Sequence, residues 1–68
     1  IRVNAVAPGI TNTTMLEKMD KDAINDQLKK SALNKIAEPH QISEVILFLC
    51  SEKSSHVTGQ ILSVDGGI

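Results

Sequence analysis

Two short runs with the period of a β-strand stand at opposite ends of this chain, and residues 8–59 separate them. In Ile1-Arg2-Val3-Asn4-Ala5-Val6-Ala7, residues Ile1, Val3, Ala5 and Ala7 share one side, and Arg2, Asn4 and Val6 share the other. Such a two-residue alternation is that of a strand. Pro8-Gly9 is expected to end it: proline lacks the ladder N–H and glycine accepts backbone angles that other residues avoid. Gln60-Ile61-Leu62-Ser63-Val64 forms the second run, after a Thr58-Gly59 turn and before Asp65-Gly66-Gly67. A connection this long, with helices inside it, suits two parallel strands joined by a right-handed crossover. That predicts part of an open α/β sheet. Two strands cannot cover both of their own faces, so further strands are expected beside the first.

The crossover carries three helical signals. Met15, Leu16 and Met19 fit one face of a short helix. Asp20 is a good N-cap for a second, with Asp22 in its first turn and Ile24, Leu28 and Ala32 as a narrow apolar stripe. Pro39 suits the first position of a third, where Ile42, Val45, Ile46, Leu49 and Cys50 make a wide stripe. The segment Ile10 to Thr14 reads as a loop.

Composition narrows the options. Among 68 residues only Phe48 is aromatic, so any core rests on aliphatic side chains and methionine. A chain of this size buries only about 60% of the surface that its unfolded form exposes. The net charge is −1, with no basic stripe interleaved with aromatics, which speaks against nucleic acid as a partner. The apolar run Val45 to Cys50 is too short to span a membrane. One cysteine, Cys50, excludes an internal disulfide, and with no signal peptide among these residues a cytoplasmic location is expected. The opening at Ile1, inside a strand-like run and without a preceding methionine, reads as a cut edge.

Three stretches resemble the short-chain dehydrogenase/reductase family. Ile1 to Gly9 is similar to the strand and Pro-Gly turn that follow its catalytic helix. Glu38-Pro39-His40-Gln41-Ile42, running into Leu47 to Ser51, resembles its late helix. Thr58 to Gly67 resembles its last strand and C-terminal turn. The resemblance implies an α/β fold: residues 1–68 would be the C-terminal part of a Rossmann-type doubly wound parallel sheet, with two strands and about three helices. An isolated segment of this kind is alternatively mostly helical, or exchanges elements with a second copy.

The resemblance also implies a function. The parent protein would be an oxidoreductase using NAD or NADP, acting on a small-molecule carbonyl or secondary alcohol. Pro8 and Gly9 would pack by the nicotinamide, with Thr11 (through its backbone) and Thr13 (through its hydroxyl) holding the carboxamide and phosphates. The family more often has Ile or Val at the position of Thr11. Residues 14–33 would form the substrate lid, with Met15, Leu16 and Met19 in it. The Pro8 to Thr13 turn fits both 3-oxoacyl-[acyl-carrier-protein] reductases, favoured as the commoner group, and hydroxysteroid dehydrogenases, the alternative. The parent would be a tetramer, and the isolated segment a dimer or larger. The family's catalytic Ser, Tyr and Lys lie outside this chain, which contains no Tyr. The segment alone is therefore expected to be inactive. A reading of another class is a non-catalytic helical interaction module built on residues 42–50.

Other residues have plainer readings. His40 and His56 share no ligand spacing with Cys50, so no metal site is expected. Cys50 reads as a small core residue. Asp20, Asp22 and Asp26 read as capping and solvating one helix, and Asp65 as a turn-former.

Overall fold

The computed structural model describes all of residues 1–68. Two strands, β1 (Ala5–Pro8) and β2 (Ile61–Val64), pair in parallel in the register Ala5–Ile61, Val6–Leu62, Ala7–Ser63 and Pro8–Val64. Between them run two α-helices, α1 (Lys21–Lys30) and α2 (Pro39–Cys50), and two short 3₁₀ turns at Thr14–Lys18 and Glu52–Ser54. The expected strand, crossover and parallel strand are present, in a mixed α/β arrangement.

Two details at β1 correct the sequence reading. The strand does not begin at Ile1. Opposite Val3 and Asn4 the partner chain is still turning, with Gly59 at a φ of +71°. Side chains replace ladder bonds there: the Val3 N–H donates to Thr58 Oγ1, the Asn4 amide donates to the Val57 carbonyl, and Asn4 Oδ1 accepts from the Gln60 N–H. The strand does end at Pro8-Gly9, with Pro8 as its last residue, but not for want of a ladder N–H. The Ala5 N–H donates to the Gln60 carbonyl and the Gly9 N–H to the Val64 carbonyl. Ladder donors on this edge are thus odd-numbered, and the N–H that Pro8 lacks would have pointed away from β2.

The helices follow local chemistry. Asp20 Oδ1 accepts from the Asp22 N–H at 3.1 Å, the expected N-cap. Lys29 and Lys30 close α1, where cations suit the helix dipole. Helix α1 ends one residue before Ser31, so Ala32 is not on its stripe as expected. It lies instead in the turn after the helix. Pro39 opens α2, and Gln41 Oε1 accepts from the Glu38 N–H at 2.8 Å. The first helical signal condenses to a 3₁₀ turn, with Met19 just beyond it. Between Thr13 and the Asp20 cap there is too little chain to propagate an α-helix.

The C-terminal end of α2 is fastened to the start of the chain. The Ser54 hydroxyl, 1% exposed, lies 2.9–3.1 Å from the carbonyl oxygens of Phe48, Leu49 and Ser51. Arg2 donates to Ser54 Oγ and to the Ser51 and Val57 carbonyls. A guanidinium here supplies several donors in a rigid fork, which ties the C-cap carbonyl of α2, the Ser54 hydroxyl and the loop carbonyl of Val57 to one side chain.

No apolar side chain is fully buried; the two buried residues are Ser31 and Ser54. Paired residues of parallel strands point to the same face, so Val6 and Leu62 lie on one side of the sheet, and Ala5, Ala7 and Ile61 on the other. Helix α2 packs against β1, and a cleft of about 660 Å³ between them is lined by Val6, Ile46, Leu49 and Cys50. Cys50 is exposed, which corrects its assignment to a core: nothing in these 68 residues closes that cleft. Ile61 is 76% exposed and Val3 70%. Apolar surface left open in this way drives association. The isolated chain is expected to exceed monomer mass in light scattering, and Ile61→Lys is expected to shift it toward monomer.

Candidate functional site

The carboxyl ends of β1 and β2 lie side by side, and the loops leaving them shape the site. An open cleft of about 400 Å³ is lined by Pro8, Gly9, Ile10, Thr11, Thr13, Met15, Leu16 and Met19. All four proposed cofactor positions and all three proposed lid positions therefore border one cleft.

Gly9 is explained by crowding and not by backbone angles. It does not adopt a positive φ, unlike Gly59, Gly66 and Gly67. A Cβ at position 9 would lie 2.8 Å from Asp65 Cα and 2.9 Å from Asp65 Cβ. The two strand ends approach so closely that only glycine fits. Asp65 is held in turn, since its Oδ1 accepts from the N–H groups of Gly67 at 3.0 Å and Ile68 at 3.3 Å. This is the turn-forming role expected of it.

After Gly9 the chain makes a single parallel bridge between Thr11 and Ala37. The Asn12 N–H donates to the Ala37 carbonyl at 2.8 Å, and the Ala37 N–H donates to the Ile10 carbonyl at 3.0 Å. In that pattern the N–H and C=O of Thr11 itself point away from Ala37. Neither has a partner within the chain. The Thr11 hydroxyl is used internally, donating to the Gly9 carbonyl at 3.0 Å. Thr11 thus offers a ligand one backbone donor and one backbone acceptor. Thr13 differs: it occupies the N-cap position of the 3₁₀ turn but its side chain makes no cap bond. Its exposed hydroxyl remains available at the cleft. Together the two residues present a backbone donor and acceptor and a hydroxyl to the cleft.

Elsewhere, His40 and His56 are exposed, and no three His, Cys, Asp or Glu side chains gather in a group that suits a metal ion. Sequence reasoning missed Ala37, whose backbone orients Thr11, and Ser31, which pairs with the Gly66 carbonyl. The family-like spacing of Pro8, Gly9, Thr11 and Thr13 carried no sign of either.

The family model described as enoyl-(acyl carrier protein) reductase matches residues 1–68. A 3-oxoacyl-[acyl-carrier-protein] reductase of Thermotoga maritima is 47% identical over 68 residues, covering 100% of this chain and 28% of that protein. A 3alpha-hydroxysteroid dehydrogenase of Mediterraneibacter gnavus is 48% identical over 66 residues, covering 97% of this chain and 26% of that protein. Among solved structures, a short-chain dehydrogenase/reductase from Brucella melitensis superposes with a TM-score of 0.86 at 39% identity, covering 97% of this chain and 27% of that one. The chain belongs to the short-chain dehydrogenase/reductase family. A second Brucella melitensis structure, a 3-oxoacyl-[acyl-carrier protein] reductase with bound NAD, superposes with a TM-score of 0.84 at 36% identity, covering 98% of this chain and 23% of that one. This family member spans about a quarter of the length of the relatives it matches. It shares their Rossmann-type architecture over nearly all of its own length.

Gly9→Ala is expected to destabilise the folded protein by about 1–3 kcal/mol, because the strand ends must part to admit the methyl group. A fall in the denaturant midpoint at unchanged m-value checks this. An unchanged midpoint would mean that the Gly9–Asp65 contact relaxes freely.

Proposed function

We propose that these residues are the C-terminal part of an NAD(P)-dependent oxidoreductase that interconverts a carbonyl and a secondary alcohol, with a 3-oxoacyl-[acyl-carrier-protein] thioester as the favoured substrate. The observation that carries this reading is the state of Thr11 and Thr13. One has an unpartnered backbone N–H and C=O and the other a free hydroxyl, both at the cleft beyond the carboxyl end of β1. Open α/β sheets bind their ligands at such strand ends. The 47% identity to a 3-oxoacyl-[acyl-carrier-protein] reductase supports the substrate class. The 48% identity to a hydroxysteroid dehydrogenase supports a steroid as the second reading.

In this reading Pro8 and Gly9 form the floor on which the nicotinamide rests. Thr11 takes the carboxamide through its N–H and C=O, and Thr13 donates its hydroxyl to a phosphate oxygen. When bound, the dinucleotide supplies or accepts hydride. Residues 14–33 act as the lid, with Met15, Leu16 and Met19 as its apolar underside, keeping water from the reacting carbon. The proton donor is not in this segment, because the chain has no Tyr. We assign the protein to the cytoplasm and to a homo-oligomer; no helix is long and apolar enough to cross a membrane. The exposed apolar side chains of α2 are the one feature that the alternative of a non-catalytic helical module explains, and the parallel strand pair and a family match across the whole chain weigh against it.

The full-length protein is expected to turn over 3-oxoacyl thioesters with NADH or NADPH. Absence of nicotinamide-dependent turnover with both acyl and steroid substrates would overturn the proposal. Thr13→Val is expected to weaken dinucleotide binding roughly tenfold or more, the worth of one hydrogen bond to a charged oxygen, in a fluorescence titration. The 68-residue chain alone is expected to bind neither dinucleotide with measurable affinity in calorimetry, since none of its glycines forms a phosphate-cradling loop at a helix N-terminus.

A further inference from the structure

The segment proposed as the lid is held only at its two ends. Every hydrogen bond made by residues 13–30 stays within residues 13–31. The front attachment is the bridge from Ile10 and Asn12 to Ala37. The rear attachment is at the C-terminal turn. Ser31, 8% exposed, donates its hydroxyl to the Gly66 carbonyl at 2.9 Å and accepts from the Asn34 N–H at 3.3 Å. The Leu33 N–H donates to the same Gly66 carbonyl at 2.9 Å, and the Ala32 N–H to the Gly67 carbonyl at 3.3 Å.

The fit at this rear attachment is close. A Cβ on Gly66 would lie 2.7 Å from Ser31 Oγ, and one on Gly67 would lie 2.8 Å from Ala32 Cβ. Both glycines are at positive φ, 68° and 88°, which L-residues with side chains rarely adopt. Asn34, at a φ of 53°, turns the chain away immediately afterwards. A buried hydroxyl, two glycines and a left-handed asparagine thus fix one point on an otherwise untethered segment.

We propose that Ser31 is a positioning residue: with the Gly66–Gly67 turn it forms the rear hinge of residues 14–33 and sets how that segment closes over the Pro8–Thr13 cleft. The proposal rests on the reading of residues 14–33 as a substrate lid. Ser31 touches neither substrate nor dinucleotide. It acts through the path of α1, so its effect falls on substrate capture and not on the Thr11 and Thr13 contacts at the front attachment.

The test compares Ser31→Ala and Ser31→Thr in the full-length protein. Ser31→Ala is expected to raise the KM for the carbonyl substrate about fivefold, the worth of one neutral hydrogen bond, while dinucleotide affinity is unchanged. Ser31→Thr, which keeps the hydroxyl, is expected to restore the wild-type KM. Amide hydrogen exchange over residues 21–30 is expected to quicken in the alanine variant and not in the threonine variant. Unchanged KM and exchange in Ser31→Ala would overturn the hinge, and so would an equal loss of substrate and dinucleotide binding. If Ser31→Ala does not fold, Gly67→Ala, which pushes Ala32 away, makes the same comparison. If the wild-type protein shows no nicotinamide-dependent turnover, the oxidoreductase reading fails, while hydrogen exchange over residues 21–30 still decides the hinge.

Discussion

The parallel pairing of Ala5–Pro8 with Ile61–Val64 is the constraint from which the rest of the structure follows. Parallel strands put their carboxyl ends together, so the loop after β1 and the turn after β2 leave from the same edge. The contact between Gly9 and Asp65 sets how close those two exits lie. With it fixed, Pro8 through Thr13 form one wall of a cleft, and the Gly66–Gly67 turn anchors the crossover at Ser31 to Leu33, just after α1. The strands themselves are only four residues long each. Their importance lies in where they deliver the loops.

Polar clamps set the geometry of this segment, and apolar burial does not. Its two buried residues are serines, and each ties part of the crossover to the sheet region. Ser54 joins the carbonyl end of α2 to Arg2 beside β1. Ser31 joins the end of α1 to the turn after β2. Hydrogen bonds of this kind contribute modestly to net stability but are directional, so they specify position well. The main driving force of folding, removal of apolar surface from water, is only partly used here, since Val6, Ile42, Val45 and Leu49 are half-buried and no apolar side chain is fully buried. Ile61, Val3 and Leu47 need covering that the 68 residues do not provide. A single segment can thus have well-defined local geometry while its stability depends on what packs over it.

Much of this was legible in the sequence, for particular reasons. The α2 boundaries follow from Pro39 and from a wide apolar stripe, and the start of α1 follows from the Asp20 side chain, all features within one or two turns of chain. Asp65 is equally local. What escaped depends on partners far along the chain. The strand start at Ala5 is decided by the turn at Gly59, and the tolerance of Pro8 by which edge of β1 faces β2. Gly9 looked like a turn glycine, and only the position of Asp65 reveals a steric cause. The stripe expected through Ala32 failed because Ser31 and its neighbours bond to Gly66 and Gly67, a contact between residues more than thirty positions apart. The candidate cofactor residues were recognised by family spacing. The physical state of Thr11, with an engaged hydroxyl and an idle backbone, could be read only from its bridge to Ala37.

With residues 14–33 read as the proposed lid, these features divide the labour along the first part of the crossover. Its front end is rigid where a dinucleotide would rest, because Ile10, Thr11 and Asn12 are locked to Ala37 and, through Glu38 and Gln41, to the start of α2. The stretch after it, from Thr14 to Lys30, makes no hydrogen bond outside residues 13–31. A mobile cover needs this combination: a fixed floor, a self-contained moving piece, and hinges whose conformation is specified. Positive φ at Gly66, Gly67 and Asn34 supplies the last of these, since few other residues accept such angles and the hinge therefore has few alternative settings. If residues 14–33 are the substrate lid proposed above, substrate preference can change by replacing side chains between the hinges, such as Met15, Leu16 and Met19, without disturbing the floor. On the proposed reading, this separation explains how a segment similar to both an acyl-thioester reductase and a steroid dehydrogenase keeps one backbone plan for two substrate shapes.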